Sequence, residues 1–195
     1  NRGIALQQIK QFNNAMSDYE RALSIDPDYA EAHNNLGTLC KEMNLLENAL
    51  NHYSDAIFFD PTLADAFYNR GITFQKLNRA SESLNDFDQA LVFNPQNTEA
   101  LNNRGLILKK LNRYDEALSD LDKALAIKDD FLEAYNNRGN VRFALSRLED
   151  ALVDFNKVIS LKPDDREAYS NRALVLKELG RFDEAMADLN KAIAL

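Results

Sequence analysis

Ala117, Leu121, Ala124 and Leu125 stand at i, i+4, i+7 and i+8, and Lys128 follows at i+11. Apolar residues at this spacing share one face of an α-helix, so the stretch predicts an amphipathic helix. The pattern returns at a fixed interval. Asn35, Asn69, Asn103, Asn137 and Asn171 are each 34 residues apart, and Asn1 continues the series backwards. Gly3, Gly37, Gly71, Gly105 and Gly139 keep the same period, with Ala173 in the last slot. Ala22, Ala56, Ala90, Ala124 and Ala192 keep it too, with Val158 in the remaining slot. Pro27, Pro61, Pro95 and Pro163 mark the ends of units, and Asp129 replaces proline once. A period of this size marks a repeat array.

Six units follow, at 1–29, 30–63, 64–97, 98–131, 132–165 and 166–195, the first and last truncated. Within a unit, helix A is expected over positions 2–14 and helix B over positions 18–31. Small residues at positions 8 and 20 let the two helices approach closely. The proline at position 32 stops helix B, because it cannot continue the hydrogen-bond ladder. A unit alone cannot bury its apolar face, so stacking creates one continuous core, an all-α single array with no internal boundary. In this register Asn1 is position 6 and Leu195 is position 30, which reads as a piece of a longer protein. No polar capping helix is visible, although such arrays usually need one. The last helix is therefore expected to expose Leu189, Ala192 and Ile193, which leaves self-association through the ends open.

Small residues at positions 8, 20 and 27, aromatic or aliphatic ones at 4, 17 and 24, and proline at 32 carry a family resemblance. The whole chain resembles the tetratricopeptide repeat, a 34-residue helix–turn–helix unit. The family's tryptophan at position 4 is replaced by His33, Phe67, Leu101, Tyr135 and Tyr169. The resemblance implies a right-handed superhelical solenoid of antiparallel helix pairs whose A helices line an inner groove. It also implies a scaffold for protein or peptide partners.

Composition narrows the partners. A net charge of −8 argues against nucleic acid, whose phosphates need a basic stripe. It favours neutral or basic partners. No apolar run is long enough for a membrane span and no signal-peptide pattern is present. The single cysteine, Cys40, falls in a core slot and excludes an internal disulfide. A cytoplasmic home is compatible with these features. No enzyme, cofactor or metal is expected. His33 falls in a core slot and His52 in a slot that elsewhere holds aspartate, with no cysteine or second histidine at ligand spacing. The carboxylates recur at repeat spacing rather than as an acid–base pair.

Two polar positions stand out. Position 7 is Arg2, Arg70, Arg104, Arg138 and Arg172, and position 23 is Asp18, Asp86, Asp120, Asp154 and Asp188. The second unit has Leu36 and His52 instead, so arginine and aspartate disappear together. That coupling predicts an Arg–Asp bridge across each hairpin. Position 6 is asparagine in every unit, although asparagine costs roughly 0.5 kcal/mol in a helix relative to alanine. Its stripe, with positions 2, 9 and 13, faces the inner groove in the family. An amide offers a donor and an acceptor, which matches an extended peptide backbone. The ladder could hold such a peptide, or each asparagine could bond the neighbouring A helix and stiffen the array.

The candidate peptide-binding residues are Asn35, Asn69, Asn103, Asn137 and Asn171, with Tyr68 and Lys109 beside them and Asn136, Asn140 and Phe143 clustered in the fifth unit. Phe143 reads either as an exposed anchor or as a core residue that has exchanged roles with Arg142. The acidic edge is Glu31, Asp65, Glu99, Glu133 and Glu167. The ladder resembles the repeat arm of O-linked N-acetylglucosamine transferases, which implies an alternative role as the substrate-recruiting arm of a larger enzyme. A co-chaperone clamp for a terminal carboxylate fits less well. Asn140 and Asn171 match its motif, but Asn136 stands where that motif needs lysine.

Overall fold

The computed structural model describes residues 2–195. Twelve helices and no strand are present among them. They fall in two compact units, Asn1–Pro95 and Gln96–Leu195. The first holds α1 (Arg2–Gln8), α2 (Phe12–Ile25), α3 (Ala30–Glu42), α4 (Leu46–Phe59), α5 (Ala64–Lys76) and α6 (Ala80–Phe93). The second holds α7 (Thr98–Lys110), α8 (Tyr114–Ile127), α9 (Leu132–Ala144), α10 (Leu148–Leu161), α11 (Arg166–Glu178) and α12 (Phe182–Ala194). Odd-numbered helices are the A helices and even-numbered ones the B helices. The fold class is an all-α solenoid of helical repeats. Helices begin and end about one residue earlier than the periodicity predicts.

Each A helix packs on its own B helix, and within each compact unit each B helix packs on the A helix of the next repeat. The close approach depends on glycine at position 8. A Cβ built on Gly37 would lie 2.7 Å from the Tyr53 ring, and one on Gly139 would lie 2.9 Å from the Phe155 ring. Both aromatics are almost fully buried. The A-to-B turn has its own device. Lys10, Asn44, Asn78, Asn112, Ser146 and Gly180, all at position 15, have φ between 57° and 74°. At each turn the next N–H bonds back to the carbonyl five residues earlier, as in Leu45 to Cys40 at 2.8 Å and Arg113 to Leu108 at 2.9 Å. This is the Schellman closure, which favours glycine or asparagine at the left-handed residue.

At the last helix, Leu189 and Ile193 are exposed as expected, together with Phe182 and Met186. Ala192 is not part of that stripe. It is 4% exposed, because position 27 lies on the small-residue seam against helix A.

Candidate peptide-binding surface

The arginine at position 7 sets the hairpins. Arg70 holds Asp86 with two bonds of 2.8 and 2.9 Å, Arg104 holds Asp120 at 2.6 and 2.7 Å, and Arg172 holds Asp188 at 2.7 and 2.6 Å. Arg2 pairs with Asp18 at 2.8 Å. In the fifth repeat Asp154 is fully buried and takes both Arg138 and Arg142 at 2.7 Å. Burial pushes the Asp154 carboxyl above the usual aspartate value, against the pull of both guanidiniums. The bridge inferred from the sequence is therefore present, and it reaches further than inferred. Arg70 also donates to Ser54 at 3.0 Å, Arg138 to Asp122 at 2.6 Å and Arg172 to Asn156 at 2.6 Å. These acceptors lie on the preceding B helix, so one guanidinium ties three helices. Bidentate geometry of this kind is available to arginine and not to lysine.

With the A helices held in this way, the position-6 amides meet the helix before them. Asn69 Nδ2 donates to Asn34 Oδ1 at 3.2 Å, and Lys41 Nζ donates to Asn69 Oδ1 at 3.0 Å. Asn137 donates to Asn102 at 2.8 Å and Asn171 to Asn136 at 3.0 Å. Asparagine at position 5 thus serves asparagine at position 6 of the next repeat. The Oδ1 atoms of Asn137 and Asn171 accept no bond among the described residues, and each Nδ2 keeps a second hydrogen. Asn136 also reaches Glu167 at 3.2 Å. Asn103 is half-buried in the same slot on α7. Asn35 on α3 is half-buried and lines a cleft of about 580 Å³ with Arg2, Tyr19, Glu31 and Asp65. Asn1 lies outside the described residues.

The neighbouring candidates divide. Asn140 and Tyr68 are half-buried on the A helices, and the Tyr68 ring sits 6.1 Å from that of Phe87. Lys109 is half-buried, and desolvation lowers its pKa. Lys41, at the same position two repeats earlier, is lowered for the same main reason. Phe143 is only half-exposed, packed against the core cluster of Leu152, Phe155 and Val175. Its ring is a partial core residue, because Arg142 has turned to Asp154. A second cleft, of about 480 Å³, lies between α10 and α12 beside Val153, Arg172 and Glu184, away from the asparagines.

The fold also joins side chains that sequence reasoning kept apart. The His33 and His52 rings lie with centroids 6.1 Å apart. The signal for this pair was their shared repeat, the one that lacks the arginine and aspartate.

Among the described residues, no helix is long and apolar enough to cross a membrane. Models of the TPR repeat match residues 3–44, 39–78 and 139–180, and models of the tetratricopeptide repeat match residues 98–131 and 166–195. No curated protein matches the chain in sequence. Among solved structures, the chain is similar to YrrB, described as a TPR protein with an unusual peptide-binding site. The two are 26% identical with a TM-score of 0.79, covering 90% of this chain and 91% of that one. It is also similar to a tetratricopeptide repeat protein from Parabacteroides merdae, 26% identical with a TM-score of 0.83, covering 99% of this chain and 77% of that one. PilW, a type IV pilus biogenesis factor, shares the fold at 22% identity and a TM-score of 0.84, over 95% of this chain and 86% of that one.

Proposed function

The chain belongs to the tetratricopeptide repeat family, whose members bind proteins or peptides, and from that premise we propose that its A-helix stripes receive an extended peptide by its main chain. The observation that carries this reading is the half-used amide. Asn137 and Asn171 each spend one N–H on the preceding A helix, and that bond holds the amide plane in place. The remaining carbonyl and the second hydrogen are left for a ligand. A preorganised donor–acceptor pair loses little conformational entropy on binding, which favours affinity. The stiffening and binding roles are thus complementary.

Asn103, Asn136, Asn140 and Lys109 would flank the peptide in the second unit, with Phe143 offering an edge rather than a whole ring. Asn35, Asn69 and Tyr68 would do so in the first. Main-chain recognition makes little demand on side chains. The acidic edge and the charge of −8 then select neutral or basic segments. YrrB, as a relative in fold with a peptide-binding site, supports a peptide ligand. Repeats of this family are generally non-catalytic, and the chain is read as a binding module. The asparagine series also suits the recruiting arm of a larger glycosyltransferase, whose chemistry would sit outside these residues.

The test is a screen of a random peptide library against the wild type and Asn137→Ala/Asn171→Ala, at matched melting temperature. Selective loss of the bound peptides from the variant is expected. The same peptides bound with the same affinity would overturn the reading.

A further inference from the structure

We propose that the second repeat carries a divalent transition-metal site formed by His33 on α3 and by His52 and Asp55 on α4. One ligand atom from each, an imidazole nitrogen from either histidine and a carboxylate oxygen from Asp55, lies within 4.8 Å of the other two. Nδ1 of His33 is 3.7 Å from Asp55 Oδ2. Zinc–nitrogen bonds of about 2 Å put tetrahedral donors somewhat over 3 Å apart. Reaching that spacing takes a small inward shift of the three side chains, of which Asp55 is 53% exposed.

The histidines are prepared for this role. His33 Nε2 lies 3.0 Å from the Pro27 carbonyl, which places the ring proton on Nε2 and leaves the Nδ1 lone pair free. A second ring nitrogen bonded to a backbone carbonyl is the usual outer support of a metal-binding histidine. The His33 ring also stacks on Phe59, at 5.4 Å and 26°, which limits its rotation. Nδ1 of His33 and Nδ1 of His52 are buried without any hydrogen-bond partner.

The rest of the array shows that these residues are not a by-product of the repeat. Position 4 is otherwise Phe67, Leu101, Tyr135 or Tyr169. Position 23 is otherwise aspartate. Position 26 is Arg21, Gln89, Lys123, Lys157 or Lys191, and only here is it acidic. Leu36 replaces the arginine whose charge would repel a cation from this hairpin. Four departures from the repeat therefore fall in one unit. Three converge on one point, and the fourth removes a positive charge. Two imidazoles and one carboxylate leave a coordination position open for water or a ligand atom, a donor set suited to Zn²⁺, Fe²⁺ or Ni²⁺.

The experiment uses the full chain, stripped with chelator and titrated with ZnCl₂ against a chromophoric competitor, with imidazole ¹⁵N NMR on the same samples. The chain has only two histidines, so the spectrum is read directly. One zinc per monomer is expected, with both Nδ1 signals shifted and His33 Nε2 still protonated. His33→Tyr and Asp55→Lys install residues that other repeats already carry at these positions, and so should fold. Each should weaken zinc binding by at least about 10-fold and abolish the zinc-dependent rise in Tm. Three results would overturn the site: no saturable binding, unchanged affinity in both variants, or one zinc bridging two chains in a dimer seen by light scattering.

Discussion

Between α9 and α10 the fifth repeat is filled with charge. Asp154 is fully buried, Arg138 and Arg142 close on it, and Arg138 continues to Asp122 on α8. Between α3 and α4 the second repeat has Leu36 and His52 in the equivalent slots. There Leu36 is 4% exposed and packs with Ala15, Tyr19 and Leu39. Both hairpins close on the same glycine–aromatic contact, Gly139 on Phe155 and Gly37 on Tyr53. The repeat backbone is thus specified by small residues and apolar packing, while the polar layer beside it is interchangeable. One version ties three helices by a guanidinium. The other sets an aliphatic side chain against the preceding B helix, and its histidine is released for other chemistry.

The largest expected effect comes from half-removing the charged version. Asp154→Ala leaves Arg142 without its carboxylate and Arg138 with Asp122 alone, and should cost about 3–5 kcal/mol in urea unfolding. Replacing both partners is a different experiment. Arg104→Leu with Asp120→His copies the second repeat into the fourth, and should stay within about 1 kcal/mol of wild type. If that double variant were as unstable as Asp120→Ala alone, the polar layer would not be interchangeable.

The second repeat has its own vulnerable group. Tyr53 is fully buried and burial raises its pKa from 10.0 to about 12, its hydroxyl lying 3.2 Å from Thr38 Oγ1. The folded state holds the proton after the unfolded chain has lost it. Stability is therefore intact below pH 10 and falls as pH rises toward 12. The loss should approach about 3 kcal/mol, and Tyr53→Phe should remove that share of the pH dependence in urea melts taken across that range, leaving what the similarly raised Tyr19 and the lowered Lys41 and Lys109 contribute.

Glycine at position 8 gives a finer comparison. Gly139→Ala places a Cβ 2.9 Å from two Phe155 ring atoms and should cost about 1–3 kcal/mol by thermal denaturation, because a packed ring cannot recede. In the fourth repeat the neighbour is Leu121 Cγ at 3.0 Å, a branched chain able to shift. Gly105→Ala should be near neutral, since alanine regains about 1 kcal/mol of helix propensity. The sixth repeat already combines Ala173 with Leu189 at these two positions.

The sequence showed the repeat, the helix order and the Arg–Asp contact, because each depends on residues that recur or vanish together. Leu36 and His52 were the informative exceptions. Periodicity says that a residue recurs, not which neighbour it meets. The bond from Asn137 to Asn102 joins position 6 of one repeat to position 5 of another, and no within-repeat argument reaches it. The left-handed residue at position 15 was visible as Asn44, Asn78 and Asn112, yet it is Lys10 and Ser146 elsewhere, which blurs the signal. His33 and His52 lie on different helices, so their approach needed the hairpin geometry.

A similarly small stability effect separates packing from binding on the A-helix stripe. Asn137→Ala loses one neutral hydrogen bond, worth about 0.5–1.5 kcal/mol, and regains roughly 0.5 kcal/mol of helix propensity. The net change in unfolding free energy should stay below about 1 kcal/mol. Asn137→Asp keeps the shape but has no N–H to give, so it faces Asn102 Oδ1 with a second acceptor and should be the less stable of the two. A ligand backbone that donates to the Asn137 carbonyl would still find an acceptor in the aspartate. Peptides lost with alanine and retained with aspartate would place the carbonyl at the ligand. Peptides lost equally with both would place the amide hydrogen there instead.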